Sequence, residues 1–530
     1  MAINIEKWDV EDNGFWEREG KAVANRNLWI SIPALLLAFA VWIIWGMLIV
    51  KMKELGFTLG MNPQTPEDWA KVNAMLWALP AIAGLAGATL RIPNSFMIAV
   101  GGGRNVTFLN TLFLAIPAFG AGIALQDKDT PYAVFVVLAL TSGFGGGNFS
   151  SSMSNISYFF PKRMQGTALG LNAGLGNLGV STMQFLVPFM LTGAIFGTAF
   201  GAAQVVPGTE KLIYLHNGAF VWVPLIILAS LAAFFGMNNL KSATPNLGNY
   251  AGEFTKIILL TIFGLVGSAI AVYMLVFLKI NMWIVLPVAI IVTLAMMKYL
   301  SPGELKGSIN KQFAIFSNKH TWIMTVLYIM TFGSFIGYAS SFPKLIQDIF
   351  GYIPNPEVIG EMMVNPHAPN PMTYAFLGPL LGALIRPVGG WLSDKLNSGS
   401  RVTAWSTILQ IVSALAAAYF IVESKGSATP QDNWWPFFWS FMALFAGTGI
   451  GNGSTFRSVP YIFSKEQAGP VLGWTAAAAA YGAFIVPKIF GEQIAAKTPE
   501  NALYGFVAFY VFCLVLNWWY YDRKNAEVKC

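Results

Sequence analysis

Two stretches decide how this chain is organised: LRIPNSFMIAVGGGR (90–104) and IRPVGGWLSDKLNSGSR (385–401). Each places an arginine inside an apolar run, follows it within two residues by proline, passes through glycine and closes on arginine. Arg91 and Arg386 stand 295 residues apart. Independently, GGGNFSSSMSNISYFFPKRMQGTALGLNAGLGNLG (145–179) is echoed by GIGNGSTFRSVPYIFSKEQAGPVLGWTAAAAAYG (449–482), with Asn148 and Asn452 standing 304 residues apart. Two unrelated segment pairs at nearly one offset describe two homologous halves. Repeated halves of about six helices are an arrangement of membrane transporters.

Composition agrees. Of 530 residues, 55% are hydrophobic and only 11% charged, against about 25% charged in an ordinary soluble chain. The mean hydropathy is +0.57. Apolar runs long enough to cross a bilayer recur from 28–50 to 502–521, and about fourteen can be placed. The expected fold class is all-α: a polytopic membrane protein of two six-helix halves plus an inserted hairpin. The boundaries read as a cytoplasmic segment 1–27, a first half 28–240, an inserted transmembrane hairpin with its linker 241–305, a second half 306–521 and a cytoplasmic tail 522–530. The hairpin itself falls near 255–300. No hydrophilic segment is long enough to build a soluble domain, so an enzyme is not expected. Lys and Arg concentrate on the side of the termini, among them Lys162, Arg163, Lys241, Lys311, Lys395 and Arg401. The positive-inside rule then puts both termini in the cytoplasm. The two cysteines, Cys513 and Cys530, build no disulfide framework. The first 26 residues carry no apolar run of the signal-peptide kind.

Arg91 and Arg386 are the sharpest chemical signal. A charge at membrane depth costs about 2.5–3.5 kcal/mol even on the lenient insertion scale. A lone arginine could snorkel to the interface or bond a backbone carbonyl; a symmetric pair argues for more. No Asp or Glu lies in the middle of a span, so the forks have no obvious internal counter-ion and suit a planar oxyanion held bidentately. Gly170, Gly174 and Gly176 either let a neighbouring backbone approach closely or let the helix bend. Asn172 and Asn177 either donate toward an anion or bond across helices. Tyr328 and Phe332 are one turn apart and share a face, as core packing or as a pocket wall. Asp394 can cap a helix and pair with Arg401 as a conformational latch, whereas Arg457 is expected to snorkel toward Lys465. His216, His320 and His367 fall in loops or at span ends, so no proton relay is visible.

The glycine-rich helix, the paired arginines, NFSSSMSNISYFFPK (148–162) and NLWISIPALLLAFAVW (27–42) resemble the nitrate/nitrite porter family of the major facilitator superfamily. The likeness covers almost the whole chain except the hairpin. It implies a nitrate site between the halves with Arg91 and Arg386 as ligands, lined by Phe39, Phe149, Tyr328 and Phe332, with Asn172 and Asn177 nearby. Gly170, Gly174, Gly176, Gly473 and Gly482 are expected to serve gating, alongside the Asp394 and Arg401 junction. In GWTAAAAAYGAFIVP (473–487), Ala476 stands where the family often has Ser, and alanines replace several glycines.

The reading is a secondary transporter of the inner membrane that exchanges nitrate and nitrite by alternating access, without metal or cofactor, as a monomer, with lipid but no nucleic acid as partner. Its rivals are nitrate uptake by cation (proton) symport and, from another class, a non-transporting anion sensor. A sensor needs an output domain, and the tail DRKNAEVKC (522–530) is too short to be one.

Overall fold

The computed structural model describes residues 4–193, 200–245, 248–357 and 362–530; the end of the span expected at 168–198 lies outside them. Among the described residues, twelve helices are long and apolar enough to cross a membrane. Two more expected spans form helices but are not among the twelve. Leu377–Lys395 carries Arg386, Asp394 and Lys395, and Trp434–Ile462 is diluted by glycine, tryptophan and hydroxyl residues. Fourteen spans are therefore not confirmed by length and composition, because these two helices carry polar groups that lower their hydropathy.

Helix starts follow local sequence. Thr65 and Asp68 form a reciprocal capping box with Pro66 in the first turn, and Asn249, Asn281, Asn318 and Ser398 each accept a backbone N–H as N-caps. These side chains satisfy donors that a helix leaves open at its start. Among the described residues, three two-stranded ribbons occur: Asn4–Ile5 with Asn239–Leu240, Gln204–Val205 with Leu212–Ile213, and Tyr352–Pro354 with Met362–Val364. Large apolar side chains such as Phe185, Leu228, Phe235 and Ile291 are exposed, while Asn94, Asn105, Asn110, Asn172 and Asn177 are buried. This inversion is what a lipid solvent demands of a helical bundle.

The chain divides into two compact units. The first comprises Met1–Pro161, Leu175–Ser317 and Lys465–Ala477; the second comprises Lys162–Gly174, Asn318–Ser464 and Ala478–Cys530. In the first unit, helix Pro66–Asn94 packs on Tyr132–Phe159, where a Cβ on Gly146 would run into the Gly87 backbone. The hairpin, Tyr250–Val272 and Met282–Leu300, packs on the same Arg91-bearing helix. A Cβ on Gly264 would stand 2.7 Å from Leu90 Cδ2 and 2.9 Å from Pro93 Cγ.

In the second unit, Leu377–Lys395 packs on Trp434–Ile462, and a Cβ on Gly449 would run into the Gly382 carbonyl oxygen. Gly87 and Gly382 keep the 295-residue offset of the arginines, but Gly146 and Gly449 stand 303 apart. The packing thus corrects the pairing of Asn148 with Asn452 by one residue. Asn148 corresponds to Gly451, and Asn452 to Phe149. Sequence similarity aligned the glycines by count, whereas backbone contact fixes which ones face the neighbouring helix.

Gly170 and Gly174 belong to the second unit and lie against the Arg386 helix. A Cβ on Gly174 would stand 2.6 Å from the Ala383 carbonyl oxygen and 2.9 Å from Pro387 Cδ. Because backbone cannot yield as a side chain can, Gly174→Ala is expected to lower stability by about 1–3 kcal/mol. Gly307→Ala, in an exposed helix position with open space around it, should instead stabilise by roughly 0.5–1 kcal/mol. Thermal unfolding of the two variants beside wild type checks this contrast.

Candidate anion site

Both sequence-predicted arginines are buried, Arg91 at 0% exposure and Arg386 at 1%. Their surroundings differ. Arg91 Nε donates to the Gly146 carbonyl (2.7 Å) and one terminal nitrogen to the Ala476 carbonyl (3.1 Å). Its guanidinium carbon lies 4.8 Å from the Phe149 ring, 5.0 Å from Trp42 and 5.9 Å from Phe39. Trp42 is itself fixed by donating its indole N–H to the Ala83 carbonyl at 2.7 Å. Backbone bonding, one of the ordinary uses of a buried arginine, is therefore realised here, together with ring faces that attract a cation.

Arg386 has the rings without the carbonyls. Its guanidinium carbon lies 5.2 Å from Phe335 and 5.5 Å from Phe332. None of its three guanidinium nitrogens has a hydrogen-bond partner among the described residues. Tyr328 and Phe332 stack at 5.5 Å with planes 6° apart, and Tyr328 also stacks on Phe456 at 4.1 Å. The helix does not run through this region evenly. A π-turn at Ile329–Gly333 interrupts it, widening the turn that carries Phe332; such bulges are frequent at functional sites.

Phe39 and Phe149 meet edge to face at 5.7 Å beside Arg91 in the first unit, and Tyr328 and Phe332 attend Arg386 in the second. Asn172 and Asn177 are fully buried. Of the expected gating glycines, Gly176 packs on Leu35, Gly473 on the Ser95 backbone, and Gly482 on the Gly333 backbone within the π-turn. Sequence reasoning missed Trp42, Phe335 and Phe456. Aromatic residues are too common in this chain for any one of them to stand out without coordinates.

The Asp394 junction departs from expectation. Arg401 is exposed, and Asp394 meets Arg457, whose Nε lies 3.5 Å from Oδ1. Arg457 does not snorkel: it is fully buried, donates to Asn397 Oδ1 at 2.7 Å, and lies over the Tyr461 ring at 3.7 Å. Asp394 also accepts from the backbone N–H and hydroxyl of Thr167, each at 2.8 Å, and from the Gly166 N–H at 3.3 Å. One carboxylate thereby ties the start of the glycine-rich helix to the end of the Arg386 helix. The long-range pair prevailed over the local one because Arg401 is exposed, where a salt bridge contributes little. Of the histidines, His216 is buried and its imidazole pKa is pushed down by that burial. The His320 Nδ1 lies 3.0 Å from the Tyr521 hydroxyl.

No family model matches the chain. Curated relatives do. It is 37% identical to the "Probable nitrate/nitrite antiporter NarK2" of Thermus thermophilus, over 99% of this chain and 98% of that protein. It is 35% identical to the "Nitrate/nitrite transporter NarU" of Salmonella typhimurium, over 99% and 97%. The chain belongs to the nitrate/nitrite transporter family. Among solved structures, the transporter is similar to the proton:xylose symporter XylE at a TM-score of 0.62, covering 94% of this chain and 96% of that one with 13% identity. That likeness gives it the major facilitator fold.

Removing the Asp394 carboxylate would leave Arg457 a buried charge without its counter-ion and leave the Thr167 donors open. Asp394→Ala in this transporter is expected to cost roughly 3–5 kcal/mol. Arg401→Gln should stay within about 0.5 kcal/mol of wild type. Thermal unfolding of both variants decides which arginine is the partner.

Proposed function

We propose that this transporter exchanges nitrate and nitrite across the inner membrane by alternating access, with Arg91 and Arg386 as the ligands of the anion. The observation that carries the reading is the buried Arg386 fork with no hydrogen-bond partner among the described residues. Burying an arginine without a partner is strongly unfavourable. A planar monovalent oxyanion supplies the missing acceptors two at a time. The names borne by the full-length relatives supply the anions, nitrate and nitrite.

The mechanism follows from that cost. Closing an empty pocket strips water from an uncompensated guanidinium, and the cost grows as the surroundings become less polar. A bound anion offsets it, so the loaded carrier switches readily and the empty one does not. Obligatory loading gives exchange. The rings of Phe39 and Phe149 beside Arg91, and of Tyr328 and Phe332 in the Arg386 unit, present apolar surfaces that favour a weakly hydrated anion. Asn172 and Asn177 supply amide donors without adding charge. Gly170, Gly174, Gly176, Gly473 and Gly482 permit helices to slide and bend at close contact, and Asp394 latches the junction with Arg457 in the place proposed from sequence for Arg401. In this reading the carrier works as a monomer with both termini in the cytoplasm, its two six-helix halves at 28–240 and 306–521 rocking about the anion.

Counterflow in proteoliposomes tests it, with labelled nitrate inside and unlabelled nitrate, nitrite or chloride outside. Nitrate and nitrite should drive release and chloride should not. Arg386→Lys should cut exchange about 30-fold or more, since an ammonium group cannot reproduce the fork. An imposed pH gradient should leave the exchange rate unchanged. Uptake into nitrite-free vesicles that rises steeply with inward proton drive would replace exchange with symport.

A further inference from the structure

We infer that Asn452 is a specificity-determining ligand of the anion held by Arg386, donating to the one oxygen of nitrate that an arginine fork leaves over. This rests on the reading of Arg386 as a substrate ligand and goes beyond it to a residue that neither the arginine pair nor the aromatic walls include.

The helix Trp434–Ile462 presents three faces within the second unit. Gly449 and Gly453 face the Arg386 helix, since a Cβ on either would run into its backbone at Gly382 and Arg386. Gly451 faces the π-turn, where a Cβ would stand 2.6 Å from Thr331 Cγ2, and the Thr455 hydroxyl lies 3.5 Å from that of Thr331. At about 100° per residue, Asn452 points between these two directions, toward the side of the helix that lies between the Arg386 helix and the π-turn. Its own face, one and two turns away, carries Phe456 and Phe445. Phe456 stacks on Tyr328 and Phe445 stands edge-on to Phe335 at 6.2 Å. Tyr328 stacks in turn on Phe332, and Phe332 and Phe335 are the two rings beside the Arg386 guanidinium.

Asn452 is 1% exposed, and neither its amide nitrogen nor its amide oxygen has a hydrogen-bond partner among the described residues. A buried amide with both ends open is costly. It stands where the first half has Phe149, whose ring lies 4.8 Å from Arg91. By the symmetry of the repeat, the second half has a donor and an acceptor where the first half has a ring beside its arginine. The carbonyl suits a guanidinium N–H, and the NH2 suits an anion oxygen.

Chemistry makes this selective. Nitrate is planar with three oxygens, and a bidentate fork engages two. Nitrite has two oxygens, which the fork can satisfy alone. A donor placed for the third oxygen favours nitrate and gives nitrite nothing in return.

Half-saturating concentrations of external nitrate and nitrite, measured by counterflow with the full-length transporter, test the assignment together with the melting temperature of each variant. Asn452→Ala should weaken nitrate about tenfold, the scale of one hydrogen bond to a charged group, and nitrite less than about threefold. Its melting temperature should hold or rise, because the amide has no protein partner to lose. Asn452→Asp should abolish use of both anions, since the new carboxylate would occupy Arg386 itself. Equal weakening of both anions by Asn452→Ala, or normal exchange of both by Asn452→Asp, overturns the assignment while leaving the Arg386 reading intact. Failure of wild type to exchange either anion overturns both.

Discussion

A guanidinium buried at the depth of a membrane span, with no hydrogen-bond partner around it, is the constraint on which the rest of the second unit turns. Arg386 is 1% exposed and its nitrogens are open among the described residues. Its neighbours do what can be done for a cation without a counter-ion. Phe332 and Phe335 offer ring faces, and Tyr328 and Phe456 extend the aromatic stack. Ring faces contribute at most a few kcal/mol to a desolvated cation, less than burial of an unpaired charge costs. In the proposed reading, an anion supplies the balance.

Arg91 resolves the same problem differently. Two backbone carbonyls and three rings already attend it. The two arginines are thus equivalent in sequence and unequal in environment. Arg91 is held by backbone carbonyls, whereas Arg386 has rings and no hydrogen-bond partner among the described residues. Under the proposed reading, such a transporter has a ligand already positioned by the protein in one half and a costly, unsatisfied one in the other.

Much of this was legible in the sequence because it depends on periodicity and on a scarce residue type. Charges are rare inside the spans, so Arg91 and Arg386 stood out, and the repeat tied them together. Tyr328 and Phe332 were read from their helical spacing and then from family resemblance, and Phe39 and Phe149 from the resemblance. Three features were not legible. The π-turn at Ile329–Gly333 shifts the phase of a helix by part of a turn, and no residue in it announces that shift. The true register of the second repeat differs by one residue, which rotates a helical face by about 100° and moves Asn452 from the place of Asn148 to that of Phe149. The partner of Asp394 proved to be Arg457, far away along the chain, rather than the nearby Arg401. Pairings across helices follow from packing, which local spacing does not encode.

The central claim is that a substrate anion, and no hydrogen-bond partner among the described residues, neutralises Arg386. Thermal unfolding of wild type and Arg386→Met in detergent, with nitrate titrated against gluconate at fixed ionic strength, tests it most directly. Exchanging a buried unpaired charge for an apolar side chain of similar length should stabilise the anion-free protein. The account predicts that Arg386→Met melts above wild type without nitrate, and that nitrate raises the melting temperature of wild type but not of the variant. A variant that melts lower in the absence of anion, or one that gains as much from nitrate as wild type does, would contradict it.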